Sequence, residues 1–160
     1  MAISVGDSIP NVKVMMATDK GPEQAETGDV LGGGKVALFS LPGAFTPTCS
    51  AQHLPGFVEK AGELKAKGVD KIVCMSVNDA FVMDAWAKSQ NAGASVEMLA
   101  DGNGDFARAL GLTMDGTAFG MGERAQRFSV VIDNGVVKAL NVEEPGAFEV
   151  SSAEYMLEQL

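Results

Sequence analysis

The stretch Leu41 to Ser50, LPGAFTPTCS, brings two prolines, a glycine and two threonines up to a cysteine, Cys49. A thiol becomes a useful nucleophile as a thiolate, and it then needs donors around it and a fixed approach for its substrate. The Thr46 hydroxyl can donate one hydrogen bond and accept others. Pro42 and Pro47 stiffen the backbone on both sides of it. A rigid loop that aims a hydroxyl beside a thiolate suits a small polar substrate. Helix capping by Thr46 or Thr48 is the competing role.

Other chemistries are limited by what the neighbours lack. Cys49-Ser50-Ala51-Gln52 has no second cysteine at the dithiol spacing, which excludes a dithiol oxidoreductase of that type. A Cys–His hydrolase would need His53 within reach of the thiol and a third group to orient it. Pro55 disturbs the helix face that Cys49 and His53 would share, so His53 reads as a structural or pocket-lining group. One histidine and two cysteines cannot supply four Cys/His ligands to zinc. In DGNGDF, Asp101 to Phe106, the sixth loop position is Phe106 and the twelfth is Leu112, so a calcium loop fails and a turn with a helix cap is expected. The run GGGK ending at Lys35 lacks the first glycine and the Ser or Thr of a phosphate-binding loop. No metal and no bound organic cofactor are expected.

The 160 residues carry a net charge of −9, with 46% hydrophobic and 21% charged residues. That composition suits one soluble domain over residues 1–160. The acids are scattered and no basic patch stands out, which argues against a nucleic-acid or anionic-membrane partner. No apolar run is long enough to cross a bilayer. MAISVGDSIP has neither a basic nor an apolar signal region. A reducing, cytoplasmic location is expected, where cysteines are catalytic or buried more often than bridged.

Several elements must position Cys49. Residues 11–30 read as a β-hairpin around TDKGPEQ. Lys35 to Leu41 is a buried strand ending just before the cysteine loop. Leu54, Phe57, Val58, Ala61 and Leu64 mark one face of the helix that follows, with Pro55 bending its start and Gly68 stopping it. Lys71 to Val77 is a second buried strand. Asn78 or Asp79 caps a helix with Val82, Ala85 and Trp86 on its apolar face. SVEML is a third strand, and GDFARALGL a short helix. RFSVVIDNGVVKALNVE is a hairpin turning at Asn134-Gly135. SSAEYMLEQL is a terminal helix with Ser151 and Glu154 spaced as a capping box. The fold class is α/β: a mixed central sheet flanked by helices, with an N-terminal β-hairpin, in the thioredoxin-like succession. Cys49 then sits where strand gives way to helix. Ligands gather at such strand ends, and free N–H groups at a helix start favour a thiolate.

PGAFTPTCS, Pro42 to Ser50, resembles the active-site segment of the type II peroxiredoxins. HLPGF, SVND, ADGNGDF and RFSVVIDNGVVKALNVE resemble that subfamily too, so the likeness spans nearly the whole chain. The resemblance implies a thiol-dependent peroxidase that reduces hydrogen peroxide and alkyl hydroperoxides through a sulfenic acid. It implies that Cys49 attacks the peroxide, that Thr46 bonds the peroxide and thiolate, and that Pro42 shields the sulfur. It assigns Arg127 to hold the thiolate, and a guanidinium has the fixed fork of donors for that. By the residues alone Arg124 serves equally. The backbone N–H groups of Thr48 and Cys49 would add donors for substrate. Cys74 matches the second cysteine of plant-like relatives and could resolve the sulfenic acid. Its place in KIVCMSV favours a buried structural thiol instead. External resolution by glutathione with glutaredoxin, or by thioredoxin, follows from that. Type II relatives commonly form dimers, so a homodimer is expected. The alternative function is a redox sensor or chaperone-like interaction protein that uses Cys49 without turnover.

Overall fold

The structure, a computed structural model, describes residues 2–160. Three parallel strands form the middle of its main sheet: β3 (Lys35–Ser40), β4 (Lys71–Ser76) and β5 (Glu97–Ala100). β1 (Lys13–Thr18) and β2 (Gly21–Glu26) form the expected hairpin and join antiparallel to β5. β8 (Phe128–Asp133) and β9 (Val136–Val142) join antiparallel to β3. The order across the seven strands is β2-β1-β5-β4-β3-β8-β9. This is the mixed, thioredoxin-like sheet that the alternation of elements predicts. The turn between β8 and β9 holds Asn134 at φ 49° and Gly135 at φ 82°, as a two-residue hairpin turn requires.

Both faces of the central strands are buried, so they read as apolar runs rather than alternations. In β3, Ala37 and Phe39 enter one core with Leu54, Phe57 and Trp86. Val36 and Leu38 enter the other with Val73, Leu99 and Phe106. The first core is covered by α2 (Leu54–Glu59), α3 (Ala61–Ala66), α4 (Ala80–Ser89) and α6 (Ala153–Gln159). The second is covered in part by α5 (Asp105–Leu110), whose first N–H groups at Phe106 and Ala107 donate to the buried Asp101 carboxylate. DGNGDF is thus a turn and helix cap.

Two local expectations change. The buried face of α4 is Ala80, Met83, Trp86 and Ala87, while Ala85 is exposed and Val82 half-buried. The Asp79 cap, accepting from the Val82 N–H at 2.8 Å, starts the helix at Ala80 and so sets that stripe toward the sheet. The cap of α6 is Ser152, not Ser151. The Ser151 hydroxyl donates to Glu143 instead. Two small features carried no periodic signal: α1 (Thr27–Leu31) and a separate pair of three-residue strands, β6 (Thr113–Asp115) and β7 (Glu123–Ala125).

Candidate active site

β3 delivers the chain to the carboxyl edge of the sheet, where the loop 41–46 forms. Asn78, just past β4, accepts from the Ala44 N–H at 2.9 Å and from Ser76 Oγ at 2.5 Å. The loop after β4 therefore braces the loop after β3. Phe45 sits at φ 65°, a left-handed conformation that costs a bulky residue about 1 kcal/mol, with its ring exposed. That kink closes a turn: the Thr46 N–H donates to the Gly43 carbonyl at 3.3 Å, and Thr46 Oγ1 donates to the same oxygen at 2.6 Å. The hydroxyl proton is thereby committed to Gly43, which leaves the Thr46 lone pairs free to accept.

Pro47 begins the helix, at a position where its missing N–H costs nothing. The Ser50 N–H closes the first turn on the Thr46 carbonyl at 2.9 Å. Among the described residues, no backbone partner takes the N–H of Thr48 or Cys49. Residues Cys49–His53 then form one wide, π-helical turn, with the Leu54 N–H reaching back to the Cys49 carbonyl. Pro55 explains it: without an N–H it cannot bond the Ala51 carbonyl, and its ring crowds that oxygen. The expected bend is realised as this wide turn.

Cys49 Sγ accepts from Arg127 Nη2 at 3.1 Å. Arg127 Nη1 donates to His53 Nδ1 at 2.8 Å. Since a guanidinium can only donate, His53 carries its proton on Nε2, which donates to the Ser151 carbonyl at 2.9 Å. The ring lies among Phe39, Phe57 and Phe148 at centroid distances of 4.9, 5.7 and 5.0 Å. Burial, with the Arg127 charge added, lowers the His53 pKa to about 3, against a weaker opposing effect of its bond to Ser151. The imidazole is neutral and both nitrogens are committed. His53 therefore cannot take the Cys49 proton, and the hydrolase pairing is excluded by geometry.

The two arginines are now separated. Arg127, just before β8, holds the sulfur. Arg124, in β7, donates from Nε to the Met121 carbonyl at 2.9 Å and from Nη1 to the Pro42 carbonyl at 3.4 Å. It braces the half-buried Pro42 peptide rather than the thiol. Cys74 lies in the middle of the sheet, in register with Phe39 of β3 and Met98 of β5, and is fully buried. Burial first, then the proximity of Cys49, pushes the Cys74 thiol well up, against a lowering by Arg127. Both cysteines are free thiols.

Several contributors to the site had no sequence signal for that role. Phe148 sits in an irregular segment with no motif, Glu143 stands out only as the end of the hairpin run, and Ser151 only as a helix cap. Asn78 stood out only as an alternative helix cap. The bond from Trp86 Nε1 to Ser50 Oγ, at 3.0 Å, joins α4 to the residue after Cys49; the sequence pattern places Trp86 on an apolar face alone.

A thioredoxin-like sheet with a buried cysteine at a helix start, held by an arginine, defines a class of thiol-based redox proteins. Residues 4–157 match the Redoxin family. The chain is 52% identical over 163 residues to peroxiredoxin-2E-2, chloroplastic, of Oryza sativa subsp. japonica, covering 99% of this chain and 72% of that protein. It is 47% identical to peroxiredoxin-2B of Arabidopsis thaliana, covering 99% and 98%. Reduced Prx3 from Vibrio vulnificus, solved in complex with H2O2, superposes with a TM-score of 0.94 at 52% identity and 98% coverage of both chains. The chain belongs to the redoxin family and, within it, to the type II peroxiredoxins. It is accordingly a thiol-dependent peroxidase.

Proposed function

We propose that Cys49 is the peroxidatic thiol, that it reduces hydrogen peroxide and alkyl hydroperoxides, and that an external thiol restores it. The observation that carries this reading is the Arg127 Nη2 donor 3.1 Å from Cys49 Sγ. The thiolate attacks one peroxide oxygen. The S–O bond forms as the O–O bond breaks, and the departing oxygen leaves with a proton as water or alcohol, giving the Cys49 sulfenic acid. Arg127 and the N–H groups of Thr48 and Cys49 donate to the oxygens as charge develops on them. The Thr46 lone pairs accept the peroxide O–H. Pro42 limits water at the sulfur. A relative 52% identical is described as a complex with H2O2, which supports that substrate.

One external thiol then displaces water from the sulfenic acid to give a mixed disulfide. A second thiol releases Cys49 and leaves as the disulfide of the reductant. Glutathione with glutaredoxin, or thioredoxin, supplies that pair of electrons. The place of Cys74 on a central strand supports this route over an internal bridge. Bridging needs Cα atoms within about 7 Å and aligned Cβ vectors, and β4 is paired on both edges. The two free thiols suit a reducing compartment, and a cytosolic, antioxidant role is the one proposed. A homodimer is proposed as its assembly.

Peroxide-dependent turnover of wild type, Cys49→Ser and Cys74→Ala, with each reductant system in turn, tests the reading. Cys49→Ser is expected to be inactive and Cys74→Ala to keep turnover. An inactive but folded Cys74→Ala would instead assign resolution to Cys74, and a single stoichiometric oxidation of wild type would leave only a sensor.

A further inference from the structure

Glu143 follows β9 directly across from Arg127. Its N–H donates to the Arg127 carbonyl at 3.0 Å, which extends the β8–β9 pairing by one residue. Its side chain is buried, and a buried carboxylate needs partners. The nearest candidate in sequence register is Arg127, yet among the described residues no ion pair joins them. The carboxylate turns to the backbone after Phe148 instead. Glu143 Oε2 accepts from the N–H groups of Glu149, Val150 and Ser151, each at 2.8 Å, and from Ser151 Oγ at 2.6 Å. Oε1 accepts from the Glu149 N–H as well, at 3.0 Å. Three successive N–H groups converging on one oxygen make an anion nest. Burial raises the Glu143 carboxyl, but the bonds from Ser151 and the three N–H groups outweigh it and hold the group below its ordinary range. The charge is thus satisfied by dipoles, and the Arg127 charge is left for the sulfur.

The same knot reaches Arg127 by another path. The Ser151 carbonyl takes the His53 Nε2–H, so the Nδ1 lone pair faces Arg127 Nη1. Phe148, at the start of the knotted segment, lies 5.0 Å from the His53 ring and 5.7 Å from Arg127 Cζ. We propose that Glu143 is a positioning residue of the peroxidase: by knotting residues 149–151 it fixes His53, and through His53 it holds the Arg127 fork on Cys49. The inference rests on the peroxidatic reading of Cys49.

The test is a double-mutant cycle on the full chain in a Cys74→Ala background. Reduced parent, Glu143→Gln, Arg127→Lys and the double variant are mixed with H2O2. The second-order rate is measured, with the pH profile of Cys49 alkylation by iodoacetamide. Glu143→Gln is expected to slow the reaction about 10- to 100-fold, as a displaced positioning group does. It should also move the alkylation profile to higher pH and add little to Arg127→Lys, while Glu143→Asp recovers part of the rate. A parent that does not react with H2O2 overturns the peroxidatic reading itself. With an active parent, a folded Glu143→Gln overturns only the inference if its rate or its pH profile is unmoved, or if its loss adds fully to that of Arg127→Lys. If Glu143→Gln does not fold, Ser151→Ala, which removes one donor, is judged by the same three outcomes with a several-fold loss expected.

Discussion

Arg127 serves two acceptors with one guanidinium: the Cys49 sulfur and the His53 ring. Lysine keeps the charge but not the fork. Arg127→Lys is therefore expected to lower the rate of peroxide reduction about 100-fold, in the range of a lost charge-stabilising donor. Arg124→Lys, which alters hydrogen bonds to the Pro42 and Met121 carbonyls, should cost far less. Equal losses in a peroxide-consumption assay would reject this division of roles. His53 makes a second residue-scale prediction. Its pKa is lowered to about 3 in the folded chain, so between pH 6.5 and 3 the unfolded chain binds the extra proton. Stability from this group is complete above pH 6.5 and is lost as the pH falls toward 3. At pH 5 the loss is about 2 kcal/mol, from about 1.4 kcal/mol per pH unit. Urea unfolding at pH 8 and pH 5 should show the drop, and His53→Asn should remove about that much of it. An unchanged pH response in His53→Asn would refute the buried neutral imidazole.

At the scale of elements, the wide turn Cys49–His53 sets where thiol and imidazole stand relative to Arg127. Pro55→Ala restores a donor for the Ala51 carbonyl and lets the helix tighten. The expected result is unchanged or greater helix content by circular dichroism, with peroxidase activity down several-fold. Unaltered activity would show that the turn is incidental. The elements themselves were largely legible. Strands such as β3 and β4 are apolar runs preceded by glycines, and Asn134-Gly135 announces its hairpin. Cys49 was legible because proline and threonine crowd around it at a strand end. What escaped was short or non-local. β6 and β7 have three residues each, too few for a period. Glu143 acts through backbone donors, and any residue has those. Residue type and spacing leave Arg127 and Arg124 equal; the family resemblance points to Arg127, and the fold is what brings it to the sulfur.

Across the whole molecule, three large apolar rings stand in water, one of them in the cysteine loop itself. Phe45 is 57% exposed, Phe81 73% and Phe119 79%. Phe45 keeps a left-handed backbone although its ring buries little within the chain. Phe119 belongs to the β6–β7 connection, whose Met121 approaches Gly43 of the cysteine loop. Rings exposed to this degree are the residues to test as contacts of a partner copy. With a homodimer as the proposed assembly, Phe45→Ser with Phe119→Ser should weaken it, read as a shift to the monomer in sedimentation velocity. A double variant that sediments as wild type does would remove these rings from the interface. The other consequence concerns Trp86. It is the single indole of the chain, and it is hydrogen-bonded to the residue after Cys49. Any change of sulfur state that shifts the helix start must disturb that bond, so the protein carries its own fluorophore for the reaction. Oxidation of Cys49 by H2O2 is therefore expected to change the Trp86 emission, which stopped-flow fluorescence would read with no label attached.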